Sequence, residues 1–244
     1  MEHKPPEIPD LREKGAVHDG QQAVLDRRLY LMLLVLGGSA DPSTARQAAA
    51  ALQQTGVEGT LYEDLHDPHG LAVLALAEDP GFFVGPLRAI LNRPPFSALT
   101  LKPPYTMAGR TYAVGYETDL EEVLLKRPRR TALNPAWPWA IWYPLRRRAS
   151  FAQLDPAEQR AILAEHGAIG QGFGAGDLAH DVRLACFGLG PRDNDFVVGL
   201  LGQDLMPLSA CVQAMRATRQ TSQYIDHLGP FFVGRAVWQS RPRS

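Results

Sequence analysis

The sequence predicts an α+β fold in which the order β-α-β-β-α-β occurs twice. Apolar runs of strand length alternate with stretches that open on Asp-Pro and continue at helical spacing, in the same order in each half of the chain. Two segments, LAVLALAEDPGFFVGPLRAIL and FVVGLLGQDLMPLSACVQAM, look like counterparts. With 244 residues, 45% of them hydrophobic, the chain can bury a sizeable core in one large domain or two small ones.

The first half begins at residues 28–36 (RLYLMLLVL), a continuous apolar run that reads as a strand. Asp41-Pro42 then opens an Ala-rich helix that runs through Leu52. Residues 56–65 and 71–77 read as two strands joined at Asp67-Pro68-His69-Gly70, and Asp79-Pro80 starts a helix through Leu91. Residues 94–109, rich in Pro and Gly, read as a long loop, and a strand over 111–116 closes the unit. Residues 117–138 form a charged connector.

The second half repeats the order. Residues 139–145 read as a strand, Asp155-Pro156 as a helix start, 181–187 and 196–201 as strands, 207–218 as a helix and 231–238 as the last strand. Each half is therefore a ferredoxin-like unit with helices on one sheet face. The uncovered faces need burial, so two fused ferredoxin-like halves are expected to pack as a dimeric α+β barrel. The chain divides into an N-terminal extension (1–26), an N-terminal half (27–120), a connector (121–138) and a C-terminal half (139–244).

Four of the 25 basic residues are Lys and the rest Arg, yet the net charge is -1, which argues against broad nucleic-acid binding and for a few specific anion contacts. Cys186 and Cys211 are too few for a disulfide framework and lack metal-ligand spacing, so a reducing compartment is the simplest inference. No run approaches the ~20 apolar residues of a membrane span, and the polar, Pro-rich start has no apolar segment behind it, which points to a cytoplasmic protein with no membrane partner.

Ile162, His166 and Ile169 fall on one face of the predicted helix that starts at Asp155. A histidine so placed is in most proteins a core or surface residue. The GAIGQGFGAG that follows comes after a helix rather than between a strand and a helix, so it reads as a helix stop or as backbone that must approach a flat ligand, not as a phosphate loop. Arg127, Arg129 and Arg130 in the connector, and Arg146, Arg147 and Arg148 after Tyr143, could grip carboxylates bidentately. His66 and His69 flank a turn without further ligands and read as surface residues.

Together these segments resemble one family. RPRRTALNPAWPWAIWYPLRRR, DPAEQRAILAEHG, FGLGPRDNDFVVGL, MRATRQTSQY and GPFFVGR are similar, in order, to segments of the chlorite dismutase-like haem proteins. Arg129 stands 14 residues before Tyr143, the spacing of the coproheme decarboxylase branch. The resemblance implies an iron porphyrin, coproheme as substrate and cofactor or haem b, with His166 as the proximal iron ligand. It also implies that Arg129 and Arg147 hold propionates, Arg147 standing where these enzymes usually have lysine. Tyr143 would be the redox-active residue of a peroxide-dependent decarboxylation that turns iron-coproporphyrin III into haem b in haem biosynthesis.

The distal position departs from the family. No Gln aligns in LAHDVRLACFG; counting forward from His166 reaches Ala179, and counting back from Gly188 reaches Asp181. Strand alternation puts Asp181 and Arg183 on one face and His180 on the other. Arg183 over the iron would suit an oxyanion, as in a haem b enzyme acting on chlorite or peroxide, and Asp181 would suit a peroxide proton. A haem carrier or sensor without turnover is a further alternative. Family members of this length often form rings, so a homo-oligomer, a pentamer, is expected.

Overall fold

The computed structural model describes residues 8–242. It opens with a hairpin, β1 (Glu13–His18) and β2 (Gln21–Leu25), turned at Asp19-Gly20, both with positive φ. Asp-Gly with both residues left-handed is a favoured two-residue hairpin turn.

The N-terminal half follows as β3 (Tyr30–Gly37), α1 (Thr44–Thr55), β4 (Gly59–Asp64), β5 (Leu71–Ala77), α2 (Gly81–Val84), α3 (Pro86–Leu91), β6 (Thr100–Leu101) and β7 (Met107–Arg110). The connector is helical, with a π-helical turn at Glu122–Lys126 running into α4 (Arg127–Ala132). The C-terminal half comprises β8 (Trp139–Arg147), α5 (Ala149–Ala152), α6 (Pro156–Ala175), β9 (His180–Ala185), β10 (Phe196–Gly202), α7 (Leu205–Arg216), α8 (Arg219–Tyr224), β11 (Ile225–Leu228) and β12 (Phe232–Gln239).

The main sheet has the order β10-β9-β7-β3-β5-β4-β12-β8-β11, and β10 also pairs with β8, so the ladder closes on itself. Its pairings are antiparallel. One seam between the halves runs through β12 and β4; the other, β7 with β9, is a single pairing of Arg110 with Ala185.

Strand alternation divides the core. Residues from both halves, including Leu31, Leu33, Tyr62, Leu74, Trp142, Leu184 and Phe232, fill the inside of the closed sheet. Outside it, the N-terminal half packs Leu61, Val73 and Ala75 against Ala48, Leu52 and Leu87 of its helices. The C-terminal half packs Ile141, Tyr143, Leu145 and Leu200 against Leu208 and Cys211 of α7. The expected α+β arrangement of two ferredoxin-like halves is thus the observed one.

Several elements differ from expectation. The strand expected over 111–116 is a loop, and the closing strand is β7, four residues earlier than the segment expected to hold it. The Glu117 carboxylate accepts hydrogen bonds from the amides of Val114, Gly115 and Tyr116 at 2.9, 2.9 and 3.1 Å, which commits those donors to a local cap rather than a ladder. The helix after Asp79 is broken at Gly85-Pro86, where Pro86 has no amide to continue the first segment. The glycines after His166 do not stop α6: Gly167, Gly170, Gly172 and Gly174 lie inside the helix, and the C-cap is Gly176.

Candidate functional site

The site is built on the outer face of the C-terminal half. On β8 the alternation that sends Ala140 and Trp142 inward turns Ile141, Tyr143 and Leu145 outward, and Arg147 follows in the same register. On β9, Val182 and Leu184 point inward, which leaves Ala179, Asp181 and Arg183 to the helix side. Arg183 and Tyr143 both pair with Val198 of β10, so they stand in one row across the sheet. His180 faces the other way, stacked on Trp137 at 3.5 Å and joined to Asp177 at 2.7 Å. Ala179 is buried among apolar residues and brings no chemistry of its own.

Helix α6 supplies His166 above this face. Its N-terminus is set by Asp155, whose carboxylate accepts from the Ala157 amide at 2.8 Å, with Pro156 in the first turn. Ile162 is buried, and His166 and Ile169 are half-buried on the same side. The Nδ1 of His166 lies 3.1 Å from the Thr218 hydroxyl. Burial lowers the pKa of His166, and the nearby charges of Arg147 and Arg183 lower it further, which favours the neutral imidazole.

Arg147 lies with its guanidinium 4.8 Å from the ring centre of Phe151 and 4.7 Å from that of Phe196. Burial lowers its pKa, and its Nε is buried with no hydrogen-bond partner among the described residues. A desolvated guanidinium with an unmet donor is a ready site for a carboxylate. Tyr143 is buried and stacked on Phe231 at 4.7 Å; burial lifts its pKa well above the usual phenol range and keeps it protonated. Asp181 and Arg183 pair with each other at 2.8 Å, both half-exposed.

Arg129 is placed elsewhere. Its Nε lies 3.1 Å from Glu58, itself 4% exposed, and its Nη2 lies 3.0 Å from Glu78, so it ties the connector to the N-terminal half. Arg127, which the sequence does not separate from its neighbours, lines a small polar cavity with Tyr112, Glu117, Asp181 and Arg183. Arg216, which no sequence signal singles out within its motif, lines an open cavity of about 410 Å³ between α7, β8 and β12 with Gln213, Ser209 and Phe231. Each lies in a segment already singled out by its arginines or its motif, so the signal was present but not which residue faces the site. Cys186 and Cys211 are buried thiols with pKa values pushed up to about 12 and about 11 by burial, as core residues would be.

Among the described residues no three of His, Cys, Asp and Glu converge, so a metal on His166 would need its other ligands from a bound group. An iron porphyrin fits that need: a neutral imidazole, an unmet Arg147 donor, and open space where a Cβ would stand at Gly167 and Gly172.

A family model described as chlorite dismutase matches residues 88–237. The chain belongs to the chlorite dismutase family. The match spans the end of the N-terminal half, the connector and nearly all of the C-terminal half, including every candidate site residue on β8, α6 and β9. Comparison with curated proteins gives no match. Among solved structures, a haem-binding protein from Thermus thermophilus is similar at 20% identity over 95% of each chain, with a TM-score of 0.68. A chlorite dismutase from Candidatus Nitrospira defluvii, in complex with imidazole, is similar at 15% identity over 87% of this chain and 92% of its own, with a TM-score of 0.66. At these identities the likeness is one of fold, and it covers both halves of the chlorite dismutase architecture.

Proposed function

We propose that this chlorite dismutase family member binds an iron porphyrin through His166 and carries out the peroxide-dependent oxidative decarboxylation of iron-coproporphyrin III to haem b. The observation that carries the reading is the unpartnered, buried Nε of Arg147 on the same strand face as the protonated Tyr143. A porphyrin carboxylate would satisfy Arg147, and the macrocycle would then extend along the same strand face toward the phenol, four residues or about 13 Å away. The solved haem-binding relative supports the ligand class.

When bound, the iron porphyrin supplies the oxidising equivalents drawn from peroxide. The chain's own residues do the rest. His166 binds and orients through Nε2, and Arg147 fixes a propionate. Tyr143 relays a hydrogen atom at its phenolic oxygen, held in place by Phe231. Asp181 accepts the peroxide proton at its carboxylate, with Arg183 balancing the charge.

A second reading, a haem b enzyme acting on chlorite or peroxide, is favoured by the position of Arg183 in the same row as Tyr143. The two readings separate by mass. Purified protein is titrated with iron-coproporphyrin, peroxide is added, and the porphyrin mass is followed. Two successive decarboxylations are expected in the wild type and none in Tyr143→Phe, which should still bind. Tight haem b binding with no loss of mass from iron-coproporphyrin would reject the decarboxylase reading.

A further inference from the structure

We propose that Thr218 is a positioning residue that presets the tautomer of His166, so that the ring presents an unprotonated Nε2; the inference rests on His166 being the iron ligand. A hydroxyl has one proton and two lone pairs. The Thr218 hydroxyl lies 2.8 Å from the Met215 carbonyl in the last turn of α7. A carbonyl cannot donate, and this is the shortest contact of the Thr218 hydroxyl, ahead of the Thr221 hydroxyl at 3.4 Å, so its single proton goes to that bond. What remains toward Nδ1 of His166, at 3.1 Å, is a lone pair. In this arrangement Nδ1 carries the hydrogen, and Nε2 the free pair that binds a metal.

The arrangement is fixed at both ends. Thr218 is 2% exposed and is also the N-cap of α8, its hydroxyl accepting from the Thr221 amide at 3.4 Å. It sits in the two-residue joint between α7 and α8, so its rotamer is set by both helices. Because its acceptor is a neutral hydroxyl rather than a carboxylate, it orients the imidazole without drawing off the Nδ1 proton. His166 is thereby a neutral and comparatively weakly donating ligand.

The ligand-free full chain, labelled with ¹⁵N, tests this by long-range ¹H–¹⁵N correlation at neutral pH. The wild type should show Nδ1 protonated and Nε2 bare. Thr218→Val, nearly the same shape, should shift His166 toward a mixture of tautomers, and Thr218→Ser should restore the wild-type pattern. A protonated Nε2 in the wild type overturns the proposal, whether or not Thr218→Val folds. So does an unchanged pattern in a folded Thr218→Val, which would leave Thr218 only the helix cap. In the ferrous haem-loaded protein, the iron–histidine stretching band should move in Thr218→Val and return in Thr218→Ser. Absence of that band in the loaded wild type would instead strike at His166 as ligand, leaving the tautomer result standing.

Discussion

The proposed role of His166 as an iron ligand asks for a neutral ring, and the surroundings of His166 favour one. Burial is the main cause of its lowered pKa, and Arg147 is the next. A basic group whose folded pKa is depressed contributes stability that is complete above its unfolded value of ~6.5 and is lost as pH falls from there through the folded one. Arg147→Gln should therefore raise the His166 midpoint in an NMR titration and reduce the stability lost as pH falls below about 7. An unmoved midpoint would mean that Arg147 does not act on the ring. Arg129 gives a contrasting expectation. Removing it from buried Glu58 should cost on the order of 3–5 kcal/mol in urea unfolding, while a loss of porphyrin affinity at unchanged stability would return it to the propionates. The common face of Asp181 and Arg183 was legible in the sequence, because alternation has a period of two. The partners of Arg129 were not, because Glu58 and Glu78 lie 71 and 51 residues away.

At the scale of the element, α6 is the unusual one. Each interior glycine costs a helix about 1 kcal/mol relative to alanine, and a Cβ at Gly167 or Gly172 would meet nothing within 4 Å. Gly172→Ala should therefore raise the Tm of the ligand-free protein by roughly 2–4 °C. The same substitution should weaken porphyrin binding if the open ridge is where the macrocycle lies; both are read from one melting series with and without porphyrin. By propensity alone the glycine run reads as a helix stop; the packing of α6 against β9, α7 and α8 overrides it. The β1–β2 hairpin lies within the N-terminal extension expected over 1–26, and Asp19-Gly20 is its readable signal. The broken helix at Gly85-Pro86 was equally readable from the proline.

At the scale of the whole molecule, the repeat in the sequence was enough to anticipate two halves and a shared interior, because each sheet has one face its own helices do not cover. How the sheet closes was not legible: the seams join residues as distant as Gly234 and Asp64, and Arg110 and Ala185. The shared interior makes the halves one cooperative unit. Trp142 is 1% exposed within it, so Trp142→Ala should cost about 3–5 kcal/mol. Unfolding followed by far-ultraviolet dichroism and by the remaining tryptophans should then give one coincident transition at lower denaturant. Two separated transitions would show that the halves fold independently. Among the described residues no helix is long and apolar enough to cross a membrane.

The roles proposed for Arg147, Tyr143 and Asp181 all depend on iron porphyrin binding through His166. Its most direct test is a spectroscopic titration of the wild type and of His166→Ala with iron-coproporphyrin and with haem b, following the Soret band. The wild type should saturate with a histidine-ligated, five-coordinate spectrum, and His166→Ala should lose that signature and recover it on adding imidazole. The same five-coordinate spectrum in His166→Ala without added imidazole would place the ligand elsewhere and contradict the account.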